Sequence, residues 1–184
     1  MKITSGRYKY RNIEVPRGAR PTTEKVREAV FSMISAWIPD AEVLDLFAGS
    51  GAMGLEALSR GAARCTFVES GRHEQRVLQA NIDNCRAGEM SRIIGRDFTA
   101  ALAMIAADGK STVFDVVIID PPYEKTEFYD TALGLLQEYG LIDDRSIVVC
   151  EHLYDNKLSD TYGKLQKIKE KKYGTIGVDT FNIL

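Results

Sequence analysis

The chain has 184 residues, of which 45% are hydrophobic and 27% are charged, and its formal net charge is −2. This size and composition predict one soluble globular domain with one sizeable core. No apolar run approaches the roughly 20 residues of a membrane helix, and the first residues lack the apolar stretch of a signal peptide. We therefore expect a cytoplasmic protein that has no membrane partner.

Cysteine and histidine are sparse. The three cysteines, Cys65, Cys85 and Cys150, lie far apart in apolar or helical contexts. We expect them to be buried free thiols in a reducing compartment. With only two histidines and no close Cys/His pair, we expect no zinc site and no other bound metal.

The charge is unevenly distributed. Residues 1–27 contain eight basic and two acidic residues, so the remainder of the chain is acidic. This split predicts a polyanion-binding arm, although a solvated and loosely ordered terminus explains it at least as well. Two tyrosines alternate with Arg7, Lys9 and Arg11. Aromatic rings between cations suit nucleic acid, because bases stack on the rings and phosphates pair with the cations.

The middle of the chain has a regular alternation of elements. A helix is predicted after Pro21, because apolar residues follow at helical spacing until Pro39. Apolar runs then predict five buried strands, at residues 43–47, 65–69, 91–95, 114–119 and 146–150. Helical patterns separate them, at residues 55–60, 72–85, around 102–105 and 128–139. Such an alternation indicates a parallel sheet covered by helices on both faces.

The C-terminal part has a different pattern. Residues 164–173 are rich in lysine, Gly174 and Thr175 form a turn signal, and residues 176–184 favour strand. This pattern predicts an antiparallel hairpin at the edge of the sheet. No linker, repeat or low-complexity segment divides the chain.

Four carboxylates lie in or just after the first four predicted strands. They are Asp45, Glu69, Asp97 and Asp120, separated by 24, 28 and 23 residues. Parallel strands bring their carboxyl ends to one edge of the sheet, where open α/β sheets bind their ligands. We therefore expect the four side chains to line one crevice. Asp97 is also a candidate helix N-cap, and Glu69 a candidate helix start.

A glycine-rich loop follows the first strand. Residues 49–54 fit the pattern G-x-G-x-x-G, and Glu69, 20 residues after Gly49, can accept hydrogen bonds from ribose hydroxyls. A dinucleotide fold has the same features. Asp45, however, lies four residues before the first glycine, where a carboxylate suits a cation such as an ammonium or a sulfonium better than a phosphate.

The segment Asp120-Pro121-Pro122-Tyr123 follows the fourth apolar run. Two consecutive prolines remove two backbone donors and fix two φ angles, and the residue before each proline becomes extended. The strand therefore ends in a stiff corner with a carboxylate, free carbonyls and an aromatic ring. These groups suit a planar ligand with an exocyclic amine, such as a nucleobase. A rigid turn that only closes the strand is the alternative.

These motifs resemble a known family. The segment from Leu44 to Gly51 resembles motif I of the class I S-adenosylmethionine-dependent methyltransferases, and residues 120–123 resemble motif IV of those that methylate exocyclic amino nitrogens. The segment from Arg20 to Glu28, with the basic arm before it, resembles the RsmD family, which methylates a guanine exocyclic amine (N2) in small-subunit (16S) ribosomal RNA. The resemblance covers residues 3–184, with one departure at Tyr10, where the family often has glycine.

The resemblance implies a fold. It is the Rossmann-like class I methyltransferase fold, with a mainly parallel seven-stranded sheet, an antiparallel C-terminal hairpin and a basic N-terminal β extension. We expect a single methyltransferase domain over residues 1–184. Residues 1–22 are then an RNA-binding extension, and residues 23–184 a catalytic core.

The resemblance also implies roles for individual residues. The residues expected around the methionine part of S-adenosylmethionine are Asp45, Ala48, Gly49 and Gly51, and its ribose and adenine are expected to contact Glu69, Asp97 and Phe98. The target base is expected to be held by Asp120, Pro121 and Tyr123. RNA is expected to contact Arg7, Lys9, Arg11, Arg20 and Arg27. The expected partner is ribosomal RNA or the small ribosomal subunit, and the expected oligomeric state is a monomer.

Three other functions share some of these features. A DNA adenine-N6 methyltransferase uses the same motif IV, but this chain has no room for a separate domain that reads sequence. A nicotinamide-dependent oxidoreductase has no obvious use for the basic arm. A non-catalytic RNA-binding protein on a methyltransferase scaffold does not need an intact glycine loop or Asp120.

Overall fold

The computed structural model describes residues 1–109 and 112–184. Within them, one sheet has the strand order β3-β2-β1-β4-β5-β8-β7-β6. The strands are β1 Glu42–Asp45, β2 Arg64–Val68, β3 Ser91–Ile94, β4 Val116–Ile119, β5 Ile147–Leu153, β6 Thr161–Tyr162, β7 Leu165–Tyr173 and β8 Ile176–Ile183. The α-helices are α1 Glu24–Met33, α2 Ala52–Ser59, α3 Arg72–Cys85, α4 Phe98–Ala107 and α5 Glu127–Glu138. Two short 3₁₀ helices span Ser35–Trp37 and Gly88–Met90.

The sheet confirms the predicted fold class. Strands β1 to β5 pair in parallel, whereas β8 is antiparallel to both β5 and β7. The described part of the chain has eight strands rather than the predicted seven, because the two-residue strand β6 pairs with the start of β7. So short a pairing has no periodic sequence signal.

The central strands are buried on both faces. In β1, Val43 packs in a cluster with α1, α2 and α3, and Leu44 packs in a second cluster with α4 and α5. In β4, Ile118 and Val117 divide between the same two clusters. Because successive side chains of a strand point to opposite faces, such strands are continuously apolar rather than alternating.

The strand order places a crevice at β1 and β4. The chain proceeds from β1 outward through β2 to β3, and then crosses to β4 and β5 on the other side of β1. Ligands of open α/β sheets bind at the carboxyl ends of the strands beside such a reversal. Asp45 ends β1 and pairs in register with Phe67 of β2 and Ile118 of β4.

The N-terminal extension is ordered against the body of the protein. An isolated antiparallel bridge joins Lys2 and Asn12, and Ile3, Tyr8 and Ile13 are buried in the first cluster. This packing explains why the basic arm is not a loose terminus.

No helix in residues 1–109 and 112–184 combines the length and the apolar character needed to cross a bilayer.

The prediction that Arg27 contacts RNA is wrong. Arg27 is buried in α1, and its Nε lies 3.0 Å from the equally buried Glu56 carboxylate. Glu56 also accepts hydrogen bonds from Thr4, Ser5 and Arg60. Burial by itself raises the pKa of Glu56, but the bonds from Thr4 and Arg60 and the charge of Arg27 outweigh it and hold the pKa below its usual value. Arg27 therefore fastens the extension to the body of the protein.

Replacing Arg27 tests this role. Arg27→Met should lower the free energy of unfolding by about 3 kcal/mol, because it removes one partner of a buried ion pair. Arg17 is exposed, and Arg17→Met should change the free energy by less than about 0.5 kcal/mol. Urea unfolding followed by circular dichroism measures both. Equal losses in the two variants would contradict the assignment.

Candidate functional site

A cleft of about 870 Å³ opens at the carboxyl edge of the parallel strands. The four carboxylates predicted from the strand ends, Asp45, Glu69, Asp97 and Asp120, all line it. The opposite wall comes from the extension, at residues 15–22. The structure therefore brings together side chains that are distant in the sequence, since Asp45 and Asp120 are 75 positions apart.

The glycine-rich loop after β1 lines the cleft. Gly49 and Gly51 have φ angles of +53° and +78°, a left-handed conformation that glycine adopts at little cost. The loop leads directly into α2, and the Gly54 N–H donates a hydrogen bond of 3.0 Å to Asp45 Oδ2. Asp45, only 2% exposed, is thereby fixed under the first turn of α2.

The environment of Asp45 changes its acidity. Burial raises its pKa, the Gly54 N–H lowers it, and the nearby charge of Glu69 raises it further, with the result that the pKa is about 7. A cation bound beside Asp45 would favour the ionised carboxylate. This part of the cleft is therefore suited to a positively charged group.

Glu69 ties the glycine loop to the end of β2. Its Oε2 accepts a hydrogen bond from the Gly49 N–H, and its Oε1 accepts one from the Gly71 N–H, both at 2.8 Å. Gly71 precedes α3, so the carboxylate supports a helix start and faces the cleft at the same time. Each carboxylate oxygen has a further lone pair for a ligand.

Asp97 is the N-cap of α4. Its Oδ1 accepts hydrogen bonds from the Thr99 N–H, the Ala100 N–H and the Thr99 hydroxyl, at 3.0, 3.1 and 2.5 Å. The bonds from Thr99 and Ala100 lower its pKa. Every capping bond uses Oδ1, so Oδ2 takes no part in the cap. The capping interpretation of Asp97 is confirmed, and it is compatible with a ligand at Oδ2.

An aromatic wall stands beside Asp97. The Phe98 ring lies 5.1 Å from that of Phe47 and 4.9 Å from that of Phe128, measured between centroids. All three line the cleft. Sequence reasoning selected Phe98 alone, because Phe47 and Phe128 were interpreted there as the apolar residues of a strand and a helix. The wall is suited to a flat heterocycle, since aromatic rings stack in such offset arrangements.

The corner at residues 120–123 also lines the cleft, at the end of β4, the strand next to β1. The Thr22 hydroxyl lies 3.4 Å from Asp120 Oδ2 and 2.7 Å from Glu151 Oε2. Tyr123 donates its hydroxyl to Glu151 Oε1 at 3.3 Å. Burial, together with the charges of Glu151 and Asp45, raises the pKa of Asp120 well above its ordinary value.

Sequence reasoning missed Glu151 and Thr22. Glu151 lies in β5, at the same edge of the sheet as the four other acids, and its position after a fifth apolar run was the signal that could have found it. Thr22 had no such signal, since it precedes the helix start as an ordinary turn residue.

The basic residues of the extension fall into two places. Arg20 lines the cleft, whereas Arg7 and Arg11 line a separate depression together with Arg86. The ammonium group of Lys9 lies 4.9 Å from the centroid of the Tyr10 ring. Tyr10 is 69% exposed, and its φ of +71° is in the left-handed region that favours glycine. The structure does not bring the cluster of Arg7, Lys9 and Arg11 into the cleft.

The comparisons with known proteins identify the family. A family model described as Conserved hypothetical protein 95 matches residues 1–182. Ribosomal RNA small subunit methyltransferase D of Escherichia coli (strain K12) is 34% identical over 178 residues, which cover 96% of this chain and 86% of that protein. The chain belongs to the RsmD family.

Solved structures agree with this membership. The yhhF protein of Escherichia coli superimposes with a TM-score of 0.86 at 32% identity, covering 100% of this chain and 97% of that one. A hypothetical protein of Thermus thermophilus gives a TM-score of 0.83 at 27% identity, with 98% of both chains covered. These two proteins therefore share the architecture of almost the whole chain.

The cysteines are buried and unpaired, as predicted. Within the described ranges, no group of three or more His, Cys, Asp or Glu side chains is arranged to hold a metal ion.

The pKa of Asp45 predicts a pH-dependent affinity for a cationic ligand. For S-adenosylmethionine, the dissociation constant should fall by roughly eightfold between about pH 6 and pH 7.5, as a carboxyl group with a pKa near 7 ionises. Isothermal titration calorimetry measures the change. Asp45→Asn should remove the pH dependence, and Asp155→Asn, which alters an exposed acid outside the cleft, should keep it. If the dissociation constant of Asp45→Asn depended on pH as that of the wild type does, the role of Asp45 would be contradicted.

Proposed function

We propose that this protein transfers a methyl group from S-adenosylmethionine to the exocyclic N2 amine of a guanine in small-subunit ribosomal RNA. The observation that supports this most directly is a single cleft lined by the glycine loop, by Asp45 and by the corner at residues 120–123. Membership of the RsmD family supports the same reaction.

The cofactor fits the chemistry of the cleft. Bound S-adenosylmethionine supplies a methyl group on a positively charged sulfur. Asp45, with Ala48, Gly49 and Gly51, would surround the methionine part, and Glu69 would accept hydrogen bonds from the ribose hydroxyls. Asp97 Oδ2 would accept a hydrogen bond from the adenine amine, and Phe98 would contact the adenine ring. These assignments would give each of the three carboxylates Asp45, Glu69 and Asp97 a partner in the cofactor.

The corner at residues 120–123 holds the target base. The lone pair of a guanine amine is delocalised into its ring, so the nitrogen is a poor nucleophile. Hydrogen bonds to the Asp120 carboxylate and the Pro121 carbonyl draw the nitrogen toward tetrahedral geometry and direct its lone pair at the methyl group. Tyr123 stacks on the base, a contact that contributes roughly 1–3 kcal/mol. The base must leave its own stack to reach this pocket.

The reaction needs orientation more than it needs a strong base. A nitrogen–carbon bond forms as the sulfur–carbon bond breaks, and the sulfur leaves neutral. The methylated amine becomes acidic and passes one proton to Asp120 or to water. Alignment of two bound reactants accounts for a large part of the barrier reduction.

The extension at residues 1–22 provides the RNA contacts in this proposal. Arg20 lies at the cleft, where it can pair with the phosphates beside the flipped base. Arg7, Lys9 and Arg11 contact phosphates farther along the RNA, and the exposed ring of Tyr10 offers a base a stacking surface. The catalytic core at residues 23–184 carries out the chemistry as part of a monomer in the cytoplasm, with the small subunit or its RNA as partner.

A methylation assay tests the proposed function. The protein would be incubated with labelled S-adenosylmethionine and, in parallel, with unmodified small subunits, small-subunit RNA and DNA. Mass spectrometry should detect N2-methylguanosine at one position in the RNA of at least one ribosomal substrate, and no product in DNA. Methyl transfer to DNA adenine, or no transfer at all, would overturn the proposal.

Asp120 should be needed for transfer and not for cofactor binding. Asp120→Ala should lower kcat by about 10²-fold or more, because it removes an oriented group that acts on the reacting amine. Calorimetry should find S-adenosylmethionine affinity within about threefold of wild type, since Asp45 and Glu69 remain. Asp120→Asn, which keeps one carbonyl acceptor, should retain more activity than the alanine variant. Equal losses of binding and transfer would refute the division of roles.

The arm should account for part of the salt dependence of RNA binding. Replacing Arg7, Lys9 and Arg11 by glutamine should lower the slope of log K against log salt by about 2, if each residue contacts one phosphate. Filter binding at several salt concentrations measures the slope. Lys164, Lys169 and Lys171 are exposed and carry the same total charge, so their glutamine variant is a matched control with an unchanged slope. Equal slopes for wild type and the arm variant would remove the arm from the interface.

A further inference from the structure

Glu151 is a buried carboxylate beside the target-base corner. In β5, Cys150 pairs in register with Ile119 of β4, so Asp120 and Glu151 come next in two neighbouring parallel strands. Glu151 is 4% exposed. Its side chain forms no ion pair with an arginine or lysine of residues 1–109 and 112–184. A buried carboxylate without a cationic partner lowers the free energy of unfolding unless hydrogen bonds compensate for the lost hydration.

Three hydroxyl groups from separate parts of the chain donate hydrogen bonds to Glu151, two of them to its carboxylate. The Thr22 hydroxyl, from the extension, donates to Oε2 at 2.7 Å, and the Tyr123 hydroxyl donates to Oε1 at 3.3 Å. The Tyr129 hydroxyl, from α5, donates to the backbone carbonyl of Glu151 at 2.5 Å. Glu151 is thus the point at which the extension, the corner and α5 meet around Asp120.

We propose that Glu151 is a positioning residue for methyl transfer, which orients the Tyr123 ring and, through its charge, controls the proton on Asp120. The inference rests on the proposed function, since Asp120 and Tyr123 are the residues assigned to the target base. Glu151 itself need not touch the base, because both of its carboxylate oxygens already have protein donors.

Several charged or titratable groups act on this pair of carboxylates or on the Tyr123 hydroxyl beside them. They are Asp45 from β1, Arg20 from the extension, Tyr123 from the corner, Tyr129 from α5 and His152 from β5. Burial raises the pKa of Glu151, and the bonds from Thr22 and Tyr123 and the charge of His152 oppose this rise. Asp120 has only the weaker 3.4 Å contact with Thr22. Burial and the charges of Glu151 and Asp45, opposed only by this contact, raise the pKa of Asp120 well above its ordinary value.

This arrangement has a consequence for the pH dependence of the reaction. A protonated Asp120 cannot accept hydrogen bonds from the amine as a carboxylate does, so kcat/KM should rise as Asp120 ionises. The negative charge of Glu151 raises the pKa of Asp120. Removing that charge should lower this pKa, and with it the midpoint of the rising limb of the pH profile.

Two variants of Glu151 separate its charge from its position. Glu151→Gln keeps the shape and removes the charge, and we expect the midpoint of the kcat/KM profile to fall by about one pH unit or more. Glu151→Asp keeps the charge but retracts it by one methylene. We expect this variant to keep the midpoint near that of wild type and to raise KM for RNA, because Tyr123 loses its acceptor. Glu138→Gln, on the exposed end of α5, removes an equal charge and should change neither quantity.

A measurement without substrate keeps the two proposals distinguishable. Titration of the Asp120 carboxyl carbon by ¹³C NMR in the free protein should show a lower pKa in Glu151→Gln than in wild type. If wild type forms N2-methylguanosine and the Asp120 titration does not move, the inference about Glu151 is overturned and the function stands. If the titration moves and no N2-methylguanosine forms, the function fails while the coupling stands. Should Glu151→Gln not fold, an unchanged KM in Glu151→Asp overturns the positioning role.

Discussion

Several acidic side chains converge at one edge of a parallel sheet, and much of the structure around the cleft compensates for their burial. Asp45 receives the Gly54 N–H, Glu69 receives two backbone N–H groups, and Glu151 receives two hydroxyls. Backbone amides and hydroxyls, rather than arginine or lysine, form these bonds. The carboxylates are therefore not neutralised by an arginine or lysine of the described residues, and this edge of the sheet is suited to positively charged and amine groups.

The N-terminal extension serves the fold and the cleft together. Glu56 of α2 binds Thr4 and Ser5 near the start of the extension and Arg27 of α1 just beyond its end. Thr22 lies between these anchors and donates a hydrogen bond to Glu151 beside the cleft. A segment that sequence composition describes as a basic arm thus also lines the candidate active site. The extension that we propose to contact RNA is therefore joined to the corner at residues 120–123.

Two arginines from the same basic stretch of the sequence have different environments in the structure. Arg20 and Arg27 lie seven positions apart in one basic stretch, yet one lines the cleft and the other is buried against Glu56. The charge pattern is the same for an arginine that lines the cleft and for one that is buried against α2. Tyr10 has an exposed ring and a positive φ.

The amino-acid sequence by itself determined the strand and helix alternation, the parallel sheet with its antiparallel hairpin, and the alignment of Asp45, Glu69, Asp97 and Asp120 at one edge. These follow from local periodicity and from the rule that parallel strands end on the same side. Only the tertiary structure decided that Thr22 bridges Asp120 and Glu151, and that Arg27 is buried against Glu56. Those contacts join residues 29 to 129 positions apart, and neither periodicity nor charge pattern carries information about which side chains meet across such separations.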